Sequence, residues 1–176
     1  MRKILLVAIA VAACSDATGP AMSVMTARVN GSQFAAADSQ TFGLGLLDTL
    51  NRSLSLFGSQ MTPRQMLENV VLTLRQFHGV GQYRTCGSPS SMFGLYSQVQ
   101  EPGGPSSPAY TTDTSCGGEV DVQSYSSVSS MISGTFHFNG TSIAATDTVH
   151  ITQGQFSGRF AVAGIAIDPP SPPARR

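Results

Sequence analysis

Glu119-Val-Asp-Val-Gln-Ser-Tyr125 and Ile132-Ser-Gly-Thr-Phe-His-Phe138 alternate apolar and polar side chains over their whole length. Period two is the signature of a strand with one face buried and one face wet. The same alternation runs through Ser53-Leu-Ser-Leu-Phe57 and Val70-Val-Leu-Thr-Leu-Arg-Gln-Phe77. Thr148-Val-His-Ile-Thr152 and Gln155-Phe-Ser-Gly-Arg-Phe160 read as one strand interrupted at Gly154, where the glycine points to a bulge. Met25-Thr-Ala-Arg-Val29 and Gln33-Phe-Ala-Ala36 flank Asn30-Gly31, a pair suited to a two-residue turn because both positions need positive φ. Asn139-Gly140 carries the same signal. Thr62-Pro63-Arg-Gln65-Met-Leu-Glu68 has the capping-box pattern of a helix of one or two turns. Residues 44–50 fit a strand or a short loop, and residues 87–118 are loop-rich, with Pro and Gly crowded into 101–108. About nine short strands with almost no helix predict an all-β, antiparallel fold, a β-sandwich with a closed β-barrel as the alternative.

Composition narrows the chemistry. Charged residues make up 11% of a 176-residue chain whose formal net charge is +0, and Ser, Thr, Gly, Gln and Asn fill the polar positions. Lys3 is the only lysine. A domain without lysine performs no Schiff-base chemistry, no Ser-x-x-Lys acylation and no phosphate-loop binding. It also lacks the basic footprint that nucleic acid requires.

The first residues specify a destination. Arg2 and Lys3 precede the apolar run Ile4 to Ala13, which is too short to cross ~30 Å of hydrocarbon as a helix. Val11-Ala12-Ala13-Cys14 resembles the lipobox of bacterial lipoproteins, in which cleavage precedes the cysteine and the thiol takes the lipid. That resemblance implies a signal peptide over 1–13, lipidation of Cys14, a flexible tether over 14–23 and a β-domain over 24–167. The Pro-rich stretch 168–176 reads as an extended or disordered tail. Ser15 lacks the inner-membrane retention character of an aspartate at that place, so the outer membrane is expected over the inner. The partner implied by the lipid anchor is the membrane itself.

With Cys14 lipidated, Cys86 and Cys116 remain as an even pair in an oxidising compartment, where a disulfide is expected. Two cysteines without a neighbouring histidine pair make a poor zinc site.

No specific catalytic pattern occurs in the sequence. His78, His137 and His150 have no metal-ligand spacing, and no Gly-x-Ser-x-Gly elbow occurs. His137 lies between Phe136 and Phe138 and points away from the face they bury. A hairpin through Asn139-Gly140 would bring His137 toward His150 as a weak metal or pH-sensitive pair. Glu119 and Asp121 share one strand face and read as solubilising charges, with a sugar or cation role as the rival. No cofactor is implied. Arg84, Tyr96 and Tyr110 stand near the loop-rich segment, and Tyr and Arg are favoured at recognition surfaces.

The C-terminal half, through Glu119 to Tyr125, Ile132 to Phe138 and Gln155 to Phe160, resembles a group of uncharacterised, lipidated, β-rich envelope proteins of bacteria. Asn30-Gly31 and Phe77-His-Gly-Val-Gly-Gln-Tyr83 add weaker likenesses. The matching positions are structural glycines and aromatics, so the resemblance implies a fold and no activity. The function expected is a non-catalytic, lipid-anchored envelope domain that binds or scaffolds an envelope protein, a glycan or a small molecule. A carrier of small apolar ligands and an envelope hydrolase are the alternatives.

Overall fold

The computed structural model describes residues 23–37, 44–86, 91–100, 108–112, 117–142 and 146–163. The expected signal peptide, Cys14 and the rest of the expected tether before Ser23, residues 101–107, Cys116 and residues 164–176 lie outside the described residues. Eleven strands account for most of what is described: β1 Val24–Val29, β2 Ser32–Ala37, β3 Leu44–Asp48, β4 Ser53–Met61, β5 Met66–Leu74, β6 Gly81–Arg84, β7 Met92–Gln100, β8 Ala109–Thr112, β9 Gly118–Ser126, β10 Met131–Ser142 and β11 Thr148–Ala163. They form one sheet in the order β2-β1-β11-β3-β4-β5-β7-β8-β10-β9-β6, and β10 pairs with β11 as well. The all-β, largely antiparallel fold read from the alternation is the fold the chain adopts. Its layers belong to a single continuous sheet.

The sheet turns back on itself through its longest strand. Residues 148–159 of β11 pair with β10, residues 151–157 also pair with β1, and Phe160–Ala163 run parallel to β3. The ambiguous stretch 44–50 is therefore a strand followed by a turn. One core fills the interior, with Phe34, Leu54, Leu72, Leu74, Val120 and Phe138 all fully buried.

A repeated Gly-x-Phe in β10 and β11 locks the middle of the sheet. Gly134-Thr-Phe136 and Gly154-Gln-Phe156 run antiparallel, so Phe136 lies opposite Gly154 and Phe156 opposite Gly134. Each ring occupies the space a side chain on the facing glycine would fill: a Cβ on Gly154 would come 2.6 Å from the Phe136 ring, and one on Gly134 would come 2.8 Å from the Phe156 ring. The two rings are themselves 6.4 Å apart.

Two bulges reset which side chains face inward. In β11, Val149 and Ile151 are buried, yet further along it is Gly154, Phe156, Gly158 and Phe160 that are buried, so the parity changes across Thr152-Gln153. The registers with β1 and with β10 both slip there, and Gln153 takes a φ of 51°. The bulge anticipated at Gly154 is thus present, carried by the residue before the glycine. In β9 the register with β10 slips between Ser133 and Gly134, leaving Gln123 as the extra residue. Val120 and Val122 face the core before the slip, and Tyr125 packs against it afterwards. A one-residue insertion flips every later side chain to the other face.

Two turn assignments need correcting. Asn30-Gly31 does close the β1–β2 hairpin, with φ of 48° and 83°. Asn139-Gly140 does not turn; both residues lie inside β10, where Gly140 fits because Tyr110 and Val149 crowd the position. Thr62 to Glu68 is not helical. Thr62 Oγ1 accepts the Met66 N–H at 3.1 Å, one residue beyond the position a helix cap bonds, and Gln65 takes a φ of 57° as the chain reverses into β5. The result is a tight hairpin loop with Pro63 near its start.

Candidate functional site

The outer face of β1, β11, β10 and β9 is a trough whose exposed side chains are mainly Thr, Ser and Gln, with Val24, Phe136 and Phe156 also contributing to its lining. One rung crosses it as Thr26, Gln155, Thr135, Asp121 and, on β6, Gln82, each opposite the next. Two adjoining hollows of about 680 and 640 Å³ share Thr26, Thr135 and Gln155. Thr152, Gln153, His137 and Glu119 line the first, and Gln123, Ser133 and Ser157 line the second. The alternation that buries Val122, Phe136 and Phe156 places these polar neighbours outward, and the Gln153 bulge holds Thr152, Gln153 and Gln155 together on the wet side.

His137 and Glu119, two titratable residues of the alternating strands, meet in this trough. They are opposed across β10 and β9, and the Glu119 carboxylate accepts Arg84 Nε–H at 2.7 Å; Arg84 also donates to Gln82 Oε1 at 2.9 Å. Among the described residues His137 has no hydrogen bond to a hydroxyl and no group of three metal-ligating side chains occurs. His137 and His150 do not pair. Asn139 stands opposite His150 and its Oδ1 lies 2.8 Å from His150 Nδ1, while the Asn30 side chain accepts the His150 N–H.

The expected recognition trio is dispersed. Arg84 projects from β6, the last strand of the order, with 55% of its side chain exposed. Tyr96 and Tyr110 belong to β7 and β8, not to a loop, and their rings lie 6.0 Å apart. Tyr96 is buried; its hydroxyl donates to Glu68 Oε1 at 3.0 Å. Burial first, and the Glu68 charge second, push the Tyr96 hydroxyl well above the usual phenol value, so it remains a donor at any physiological pH. Tyr83 is buried too, donating to the Gly79 carbonyl at 2.8 Å and accepting the His78 N–H at 3.1 Å. Its role is to pin the 77–81 corner.

The cleft between Val24, Met25, Leu56, Ile132 and Phe156 measures about 20 Å³, room for a single water. Cys86 carries a free, half-buried thiol among the described residues, which do not include Cys116.

Residues 23–158 match the family model of a domain of unknown function, DUF6252. The chain belongs to the DUF6252 family. No curated protein and no solved structure matches it. The matched span of this DUF6252 domain opens at Ser23, whose hydroxyl accepts the Arg159 N–H at 3.1 Å, so the match begins at a residue that is tied into the sheet.

Proposed function

We propose that this DUF6252 protein is a lipid-anchored domain of the bacterial envelope that binds a hydroxyl-rich polymer, a glycan, along its sheet trough. The observation that carries the reading is the chemistry of the trough: Thr, Ser and Gln from several adjacent strands with few charges, open along its length. Such a surface supplies many moderate hydrogen bonds to an extended polar ligand, whereas a carrier of apolar ligands needs a cavity larger than one water. The hydrolase alternative draws less support, since the Glu119 carboxylate is engaged by Arg84 and His137 has no hydroxyl to activate.

The anchor rests on Val11-Ala12-Ala13-Cys14. Acyl chains bind membranes in proportion to length, at about 0.8 kcal/mol per buried CH₂. Cys14→Ser is expected to move the protein from the membrane pellet, the outer membrane where there is one, to the soluble fraction. Undiminished membrane partition would end the anchor proposal. The trough is tested by sedimentation with purified cell-wall sacculi. Gln123, Thr152 and Gln155 are exposed, so changing all three to Ala leaves folding near intact. Three hydrogen bonds at about 0.5 to 1.5 kcal/mol each amount to at least a tenfold loss of retention. Equal retention of the triple variant would place the ligand elsewhere.

We also retain the Cys86–Cys116 disulfide as a proposal. Arg84 pairs with Glu119, and Thr85 bonds Gly118 through its backbone N–H at 3.0 Å. The next opposed position sets Cys86 against Gly117, the chain neighbour of Cys116. A bridge there would stabilise the fold by roughly 3 to 4 kcal/mol on the chain-entropy view. Alkylation of unreduced protein from the envelope should label neither cysteine; two labels would refute the bridge.

A further inference from the structure

Glu68 is a half-buried carboxylate held by neutral groups alone. Its Oε1 accepts Tyr96 Oη–H and Gln98 Nε2–H, both at 3.0 Å, and its Oε2 accepts Gln60 Nε2–H. Gln60 is fixed in turn, its Oε1 accepting the Ala35 N–H at 2.8 Å. Among the described residues the ion pair is that of Arg84 with Glu119, and no arginine neutralises Glu68. The three donors supply hydrogen bonds to the carboxylate and no counter-charge.

The carboxylate lines a cavity of about 210 Å³ bordered by Tyr96, Tyr110 and Gln98, with Asn30 and Gln33 of the first hairpin at its rim. At ~30 Å³ per water in the liquid, that space holds about seven waters or a ligand of similar size. Oε2 accepts a single hydrogen bond among the described residues, which leaves it room for another, and two tyrosine rings flank the site. A carboxylate with acceptor capacity to spare at the wall of a small polar cavity recognises an ammonium group by charge and by hydrogen bonding. Tyr96 stays protonated, so no second anion forms there.

We infer that the Glu68 cavity binds a small primary ammonium compound, with Glu68 as its counter-charge. None of its lining residues lines the trough, so this site and the glycan proposal stand or fall separately.

Calorimetric titration of the full chain with putrescine tests it, with butane-1,4-diol as the uncharged ligand of matching length. Putrescine should bind saturably at one site and the diol should give no saturable heat. Glu68→Gln should weaken putrescine at least tenfold. Because that variant turns an amide toward three donors and can disturb folding, Gln33→Lys provides an independent reading. Gln33 is exposed, and the substitution tethers a competing ammonium at the rim. It should also weaken putrescine at least tenfold, with the circular dichroism spectrum and melting temperature unchanged. Equal binding of the diol, absence of saturation by putrescine, or a folded Gln33→Lys protein that titrates like the unchanged chain would overturn the assignment.

Discussion

Gly134→Ala is expected to destabilise the domain by at least about 3 kcal/mol, the upper part of the range for overpacking a filled interior. A methyl on Gly134 would fall 2.1 Å from the Asp121 carbonyl oxygen and 2.8 Å from the Phe156 ring. The ring could yield by changing rotamer, but the carbonyl belongs to the β9 backbone, on the side where Gln123 is already extruded. Relief would require breaking the β9–β10 ladder. Gly154→Ala should behave alike, since its methyl would meet the Phe136 carbonyl oxygen at 2.5 Å. By contrast Gly31→Ala meets no neighbour and suffers only from its φ of 83°. Urea unfolding of the three variants gives the comparison. A Gly134→Ala protein as stable as Gly31→Ala would show that the Gly-x-Phe register is wrong.

Phe138→Ala should cost about 3 to 5 kcal/mol, the usual range for a buried phenylalanine. The Phe138 side chain is fully buried and rests on two glycines: a Cβ on Gly94 would lie 3.0 Å from the ring, and one on Gly118 would lie 2.9 Å from Phe138 Cβ. Those positions carry no side chain that could move into the vacated space, so the cavity persists. Phe77→Ala, at the 77–81 corner near the surface, should cost less because the corner can close over it. Thermal melts of the pair decide the order, and a smaller loss for Phe138→Ala would contradict the packing.

How far the fold was legible in the sequence depends on whether a residue's partners are local. Asn30-Gly31 folds as read because a hairpin needs only its two flanking strands, and the Gly154 region bends as read because glycine marks a break in the parity of its own strand. The Thr62 segment misleads because Thr-Pro opens a tight turn as readily as it opens a helix. The residues beyond the turn, Leu67 to Leu74, belong to a strand paired on both sides by β4 and β7, and that pairing outweighs a weak local preference. Asn139-Gly140 misleads for the same reason. β8 and β11 hold it extended, the chain reverses only after Ser142, and the glycine answers the bulk of Tyr110 and Val149. Tyr125 keeps the outward parity of Glu119 in the sequence, and only the Gln123 bulge turns it inward.

The candidate sites were less legible. The polar half of each alternating strand was visible as Thr, Ser and Gln, but alternation says nothing about which strands become neighbours, so the trough did not emerge. Glu68 collects Gln60, Tyr96 and Gln98 from other strands and carried no motif. Tyr96 and Tyr110 stood out for their residue type, which suits a core position as well as a binding surface. Both belong to the sheet, in β7 and β8.

The sheet trough as the ligand surface is tested most directly by methyl resonances of threonine-labelled protein during titration with soluble cell-wall glycan fragments. Thr26, Thr135 and Thr152 line the trough, whereas Thr49 and Thr73 do not. Saturable shifts are expected for the first three and none for the other two. Shifts confined to Thr49, Thr73 or Thr111, with Thr26, Thr135 and Thr152 unmoved, would contradict it.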